Sequence, residues 1–237
     1  MQIRAKPPPR IVNRLIDGLS RKERDTLLEH AELVDLAFGE ILCEPRQAIR
    51  FVYFPLSAFI SLVVTVGKHT PLEIGLIGNE GMLGATLVLG SDEAQLRAVV
   101  QGKGTALRLT VPQLRRQLHA GPSLLRALRR YLYATMTQLA RSVACIHFHE
   151  VEPRLARWLL MTHDRAHADH FYLTHEYLAG MLGVRRSGVT VAAGALQRRS
   201  LIRYARGDIR IIDRKGLEAA SCDCYGAALE TYGQLLL

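Results

Sequence analysis

Apolar positions change their period along this chain, and each change marks a boundary between kinds of structure. From residue 10 to 38 they recur at helical spacing. Ile11, Leu15, Ile16 and Leu19 share one stripe, and a second segment, SRKERDTLLEHAELV, starts at Ser20. Glu23, three residues on, completes a capping-box pattern. The prolines at 7–9 set an extended leader ahead of these helices. From about 38 to 110 the pattern becomes short β-rich runs (EILCE, FVYF, FISLVVTV, LEIGLI, RAVVQG, GTALRLT) separated by glycine and proline. Such spacing predicts an antiparallel β-barrel or jelly roll. A barrel of this size is filled by its own side chains or encloses one small molecule.

From 112 to 149 the period is helical again. Pro112 opens a short helix, VPQLRRQL, and Gly121-Pro122 opens a long one. Along the long helix Leu125, Leu132, Leu139 and Ile146 recur every seven residues, with Leu128, Met136 and Val143 beside them. A heptad seam on a helix that leaves a small barrel predicts packing against a second copy of the chain. The next helix, EVEPRLARWLLMTHDRA, carries Leu155, Trp158, Leu159 and Met161 as a core stripe, with Pro153 in its first turn and a hinge near His149 to Pro153.

The stretch LTHEYLAGMLGVRRSGVTVAAGALQRRSLI, residues 173–202, then reads as two short helices. Thr174 caps the first, Gly183 turns the chain, and Arg185, Arg186 and Ser187 open the second. That second helix packs Val189, Ala192, Ala193 and Leu196 on one face, leaving Arg186, Ser187, Thr190 and Val191 outward. A helix, a glycine turn and an arginine-headed helix make the plan of a helix-turn-helix DNA reader. LIRYA and DIRII follow, separated by Arg206-Gly207, and predict a hairpin wing. The fold class is therefore α+β. Its expected units are a barrel with helical leader (1–120), a dimerisation helix (121–149), a winged helix-turn-helix (150–220) and a C-terminal tail (221–237).

Charge sharpens this picture. The formal net charge is +9, which fits a polyanionic partner. Residues 173–215 hold nine Lys or Arg against three acids, so the excess falls on the predicted reader. The longest strongly apolar run, residues 59–66, is too short to cross a bilayer, and the first ten residues lack the apolar core of a secretion signal. A cytoplasmic protein without membrane attachment is expected. The cysteines Cys43, Cys145, Cys222 and Cys224 are too scattered for a disulfide framework. Cys222 and Cys224 offer a metal or redox pair but lack zinc-ribbon spacing, and read as free thiols in the tail. An enzyme is not expected, because nucleophile elbow, phosphate loop and paired carboxylates are all missing. The alternative, a cupin-like metal-dependent enzyme, would need histidines in the barrel strands. Only His69 lies in that region, whereas His147, His149, His163, His167, His170 and His175 cluster around the hinge.

The order of these units resembles the Crp/Fnr family of bacterial transcription regulators, from Asn13 to about Leu217. The local matches are Phe51-Val52-Tyr53-Phe54-Pro55, the glycine-rich GNEGMLG from Gly78 to Gly84, and LTHEYLAGMLGVRRSGVT. The resemblance implies a barrel that senses a small molecule or redox state, a dimer helix, and paired recognition helices on a palindromic promoter. It implies double-stranded promoter DNA, a second copy of the chain and RNA polymerase as partners. Arg186 matches a guanine-reading arginine, and arginine bidentate to guanine is the commonest specific major-groove contact. Ser187 and Val191 replace glutamate and arginine, Thr190 and Val191 are placed to meet phosphate or a thymine methyl, and Arg185 stands beside them. Thr174, His175 and Arg206 are expected on phosphate. An effector pocket would include Gly84, Ala85, Arg97 and Ala98. In cyclic-AMP-binding members the Gly84-Ala85 pair reads glycine-glutamate and the segment at Leu96-Arg97-Ala98 carries arginine and a small hydroxyl residue. With the ribose acceptor gone, cyclic AMP is not the expected ligand; a cyclic-nucleotide-responsive regulator is the second alternative. An iron–sulfur cluster is not expected either, since no cysteine precedes Cys43. Pro7, Pro8, Pro9 and His69 are the residues a haem would use.

Overall fold

A computed structural model describes residues 12–68, 71–166 and 169–235. Two short helices, α1 (Arg14–Asp17) and α2 (Arg21–His30), lead the chain. Ser20 caps α2, its side chain accepting from the Glu23 amide. Buried Asn13 holds α1 in place by donating to the carbonyls of Gly81 (2.8 Å) and Pro55 (3.0 Å). The helical pattern stops earlier than its spacing implies. Residues Glu32–Leu36 are a strand, β1, instead of a continuation of α2.

Strands β2 (Ile41–Cys43), β3 (Phe51–Pro55), β4 (Phe59–Val64), β5 (Leu72–Ile77), β6 (Arg97–Gly102) and β7 (Gly104–Thr110) follow the predicted runs. They form two antiparallel sheets, ordered β1-β7-β3 and β2-β6-β4-β5. The sheets face each other across one core: Leu36, Tyr53 and Ala106 from the first meet Ile60, Ile77, Ala98 and Val100 from the second. The first sheet has a second buried face. Val52, Phe54 and Leu109 pack against Leu15, Leu27, Leu114, Leu124 and Leu128 of the surrounding helices. This explains why FVYFP reads as a continuous apolar run, since a strand covered on both sides has no polar alternation.

Helix α3 (Val111–Ala120) starts with a complete capping box between Thr110 and Gln113. Helix α4 (Pro122–Phe148) runs 27 residues. Then come α5 (Val151–Ala166), β8 (His170–Tyr172), α6 (His175–Leu182), α7 (Arg186–Arg198), β9 (Ile202–Ala205), β10 (Asp208–Ile211), α8 (Arg214–Ala220) and α9 (Cys224–Leu235). The wing is a three-stranded sheet ordered β8-β10-β9, one strand more than the expected hairpin. The stretch expected as a tail is helical and packed. Tyr232 of α9 is buried and donates to Gln138 of α4 at 2.5 Å.

The core of the C-terminal unit extends into the sheets. Leu155, Trp158, Leu159, Leu178, Val189, Leu196 and Ile209 share one cluster with Phe59 of β4 and Leu76 of β5. The helix-turn-helix therefore rests on the β domain through a continuous apolar contact.

Candidate functional site

Helices α6 and α7 meet at a turn that the sequence dictates. The Thr174 side chain accepts from the Tyr177 amide at 3.1 Å and fixes the start of α6. Gly183 ends it in the left-handed conformation (φ 64°, ψ 39°), which a residue with a Cβ enters only at a cost. Leu178, Leu182, Val189, Ala192, Ala193 and Leu196 are buried, so the angle between the helices is set by packing. What remains outside is Arg185, Arg186, Ser187, Thr190 and Val191, all exposed on the N-terminal half of α7. Val191 keeps 69% of its surface, a large share for an aliphatic side chain on a well-packed domain.

The wing stands beside this helix. Its tip, Arg206-Gly207, has both residues at positive φ (51° and 88°), the geometry of the tightest hairpin turns. Arg206 is exposed there. Tyr204 ties the wing to the reader by donating to the Leu173 carbonyl at 2.9 Å, and its amide donates to Gln197 at 2.7 Å.

His175 sits differently from expectation. Its ring stacks on Tyr204 with centroids 4.3 Å apart, and its Nδ1 lies 3.0 Å from the Thr190 hydroxyl. Nε2 is buried. Burial, and then the neighbouring Arg186 guanidinium, hold the imidazole below its usual pKa, which keeps it uncharged at neutral pH. Nδ1 is engaged and Nε2, which has no hydrogen-bond partner, is covered, so the ring presents no exposed nitrogen and no charge to a phosphate. It braces α6, α7 and the wing against one another, and it fixes Thr190, whose hydroxyl also donates to the Arg186 carbonyl.

The face of this unit that turns toward the β domain carries its own polar contacts. Arg165 of α5 is buried and donates twice to one Glu80 oxygen, at 2.6 and 2.9 Å, and once to the Met161 carbonyl. Glu80 lies within GNEGMLG, so the glycine-rich turn is anchored to the reader's first helix. Trp158 donates to Glu73 of β5 at 2.7 Å, and Ser61 donates to its other oxygen at 2.7 Å. Burial pushes the Glu73 carboxyl up to about 7, against the pull of those two hydrogen bonds.

A cavity of about 530 Å³ opens between the second sheet, the glycine-rich turn and α4. Gly84 and Ala85 line it, together with Leu62, Met82 and Leu96. Arg97 and Ala98 do not. Arg97 turns away to pair with Glu44 at 2.8 Å, and Ala98 is fully buried in the sheet core. The charged residue at the cavity is Arg50, and Gln47, Thr86 and Gln95 add neutral polar groups. Among the described residues its lining includes no carboxylate and no histidine. Pro7, Pro8, Pro9 and His69, the haem candidates, lie outside the described residues.

Tyr131, Leu132 and Thr135 place α4 directly on this cavity. The same helix shows two apolar faces. Leu124, Leu128, Tyr131 and Ala134 are buried in the protomer. Met136, Val143 and Ile146 keep 66%, 71% and 42% of their surface, in line with the half-buried Leu125, Leu132 and Leu139. Leu128 thus leaves the expected dimer seam, because its side chain is spent on the protomer's own core.

With this geometry in place, comparison with known proteins is decisive for the C-terminal unit. Residues 153–220 form a Crp-like helix-turn-helix domain. About four-fifths of the chain shares the fold of solved Crp/Fnr-family regulators. It is similar to a CRP/FNR-family transcriptional regulator from Thermus thermophilus (23% identity, 80% of this chain and 98% of that one, TM-score 0.67). FixK2 from Bradyrhizobium japonicum gives 13% identity over 81% and 98%, also at 0.67. The c-di-GMP-responsive global regulator CLP from Xanthomonas campestris gives 17% over 81% and 99%, at 0.60. No curated protein sequence matches the chain. Within the Crp-like domain, the exposed residues of α7 and the wing are the parts that face outward from the shared scaffold.

Proposed function

We propose that this chain is a homodimeric, sequence-specific DNA-binding transcription regulator of the Crp/Fnr type, cytoplasmic and non-enzymatic, controlled by a small molecule held in the β domain. The observation that carries the reading is the arginine-headed face of α7, exposed and free of ion pairs among the described residues, on a helix-turn-helix whose every apolar side chain but Val191 is wholly or partly buried. Arg186 reads a guanine, with Arg185, Ser187, Thr190 and Val191 shaping the rest of the contact and Thr174 and Arg206 on phosphate. The open stripe Leu132, Met136, Leu139, Val143 and Ile146, with Leu125, closes against the same stripe of a second copy. It sets two recognition helices for a two-fold symmetric promoter site and for RNA polymerase. A largely apolar ligand, neutral or carrying one anionic group toward Arg50, suits the cavity. Through Tyr131, Leu132 and Thr135 it would act on the dimer helix itself.

Fluorescence anisotropy against the DNA upstream of its own gene tests this. Specific binding should exceed binding to scrambled DNA by a thousandfold or more, roughly the usual margin. Log affinity should fall with log salt by roughly 0.9 per phosphate contact. Equal affinity for both DNAs with a flat salt response would overturn the reading.

A further inference from the structure

The expectation for Cys222 and Cys224 was a pair of free thiols in a tail. The fold instead carries them to the far end of the dimer helix. Cys145 lies one helical turn before the end of α4, and His149 caps that helix, its amide donating to the Cys145 carbonyl at 3.1 Å. Spaced by four, their side chains fall on one face. Cys222 and Cys224 flank the junction of α8 and α9, and the Cys222 amide is tied to the Pro153 carbonyl at the start of α5. The four ligand atoms come within 4.8 Å of one another. Cys145 and Cys222 sulfurs are 3.6 Å apart, and the Cys224 sulfur is 3.6 Å from His149 Nδ1.

We propose that Cys145, His149, Cys222 and Cys224 form a closed, four-coordinate site for a divalent zinc-class ion that fastens the hinge between the dimer helix and the helix-turn-helix domain to the C-terminal helix. Tetrahedral zinc with bonds of about 2.3 Å to sulfur and 2.0–2.1 Å to nitrogen sets ligand edges of roughly 3.5–3.8 Å. The Cys145–Cys222 and Cys224–His149 separations of 3.6 Å already lie in that range. His149 is also oriented from behind: its Nε2 lies 3.4 Å from the Asp223 carboxylate, leaving Nδ1 for the metal. A carboxylate behind a ligating imidazole fixes its tautomer and raises its basicity. Packing alone would account for buried Cys145 and Cys222 as small hydrophobes. It gives no reason for an imidazole and a further thiol, both only partly buried, to converge on them. Four protein ligands leave no open position, so the ion is structural. Its position ties α4, α5 and α9 together where the two domains join.

The test is metal analysis of the full chain purified under a thiol-free reductant without chelator. One zinc per chain is expected, retained in Cys43→Ser and lost in Cys222→Ser and Cys224→Ser. Cobalt added to chelator-stripped protein should give the ligand-field bands of a tetrahedral ion with a thiolate charge-transfer band. A thiol reagent should find Cys43 alone reactive until the metal is removed. Asp223→Asn, an exposed change that spares all four ligands, should weaken zinc affinity by about 10–100-fold in a chelator competition. The proposal is overturned if folded wild-type protein binds cobalt no better than the Cys222→Ser/Cys224→Ser double variant. It is equally overturned if Cys145 and Cys222 are found joined as a disulfide under the reductant. Each readout is independent of DNA binding, so failure here leaves the regulator reading standing.

Discussion

The helix-turn-helix unit uses the same chemistry on two faces to opposite ends. On the outward face Arg186 and Arg206 stand exposed without a carboxylate partner among the described residues. On the inward face Arg165 is buried against Glu80, and the partly buried Glu73 is held by Trp158 and Ser61. A guanidinium in water holds its charge ready for an incoming phosphate or base edge. A guanidinium in the core is committed, and removing its partner strands a charge. The contrast separates residues that bind from residues that hold the reader to the sensor, and it predicts that their variants fail in different assays.

The largest effect belongs inside. Glu80→Met or Arg165→Met alone should destabilise the protein by about 3–5 kcal/mol in chemical denaturation, because each leaves an uncompensated buried group. The double variant, Glu80→Met with Arg165→Met, should recover much of that loss. Single and double variants with equal stability would show that the pair is not isolated from water and would dissolve the contrast.

Glu73 gives the next largest effect, and it depends on pH. Its carboxyl is raised from 4.5 to about 7, so the fold favours the neutral acid. A raised acid contributes its full stability below the unfolded value of 4.5 and loses it as pH rises through 7. Fully developed, that shift is worth about 3 kcal/mol. Glu73→Gln, which keeps an acceptor for Trp158, should therefore flatten the decline in stability between those pH values. A variant that declines in parallel with the wild type would place the titration elsewhere.

How much of this was legible beforehand follows from the range of the interactions. The reader declared itself because Thr174, Gly183 and Arg206-Gly207 are local signals, each acting within a few residues. Strand β1 reads as helix because Glu32–Leu36 has helix-favouring Glu and Leu, and Leu33 stays 62% exposed at a sheet edge, so no buried alternation betrays it. Its identity comes from pairing with β7, a strand far along the chain (Glu32 opposite Arg108, Leu36 opposite Gly104). Arg97 belongs to the effector pocket by sequence, yet a salt bridge to Glu44, 53 residues distant, turns it out of the cavity. The Cys145–Cys222 and His149–Cys224 approaches span 77 and 75 residues. No spacing rule reaches that far, and the inward pairs are hidden for the same reason: Glu80 lies 85 residues from Arg165, and Glu73 lies 85 from Trp158.

On the outward face effects move from stability to binding. Arg186→Ala should cost about 1–3 kcal/mol on the specific site and relax preference at one base position, with thermal stability unchanged. Equal losses on specific and random DNA would assign Arg186 to phosphate. A fall in melting temperature would show that the outward face is not free of structural duty.

Arg206 makes the smallest and most discriminating case, since one residue there serves both ends of the contrast. Its φ of 51° places a Cβ-bearing residue in the left-handed region, which costs roughly 1 kcal/mol or more. Gly207 beside it, at φ 88°, adopts its conformation without that penalty. An arginine kept at the tip of the wing against this strain has its side chain as the compensating gain. Arg206→Gly should stabilise the fold by up to about 1 kcal/mol while weakening DNA binding evenly across sequences. The salt slope should drop by about one phosphate contact. If Arg206→Gly instead lost affinity only for the specific site, the wing would be reading bases, and recognition would extend beyond α7.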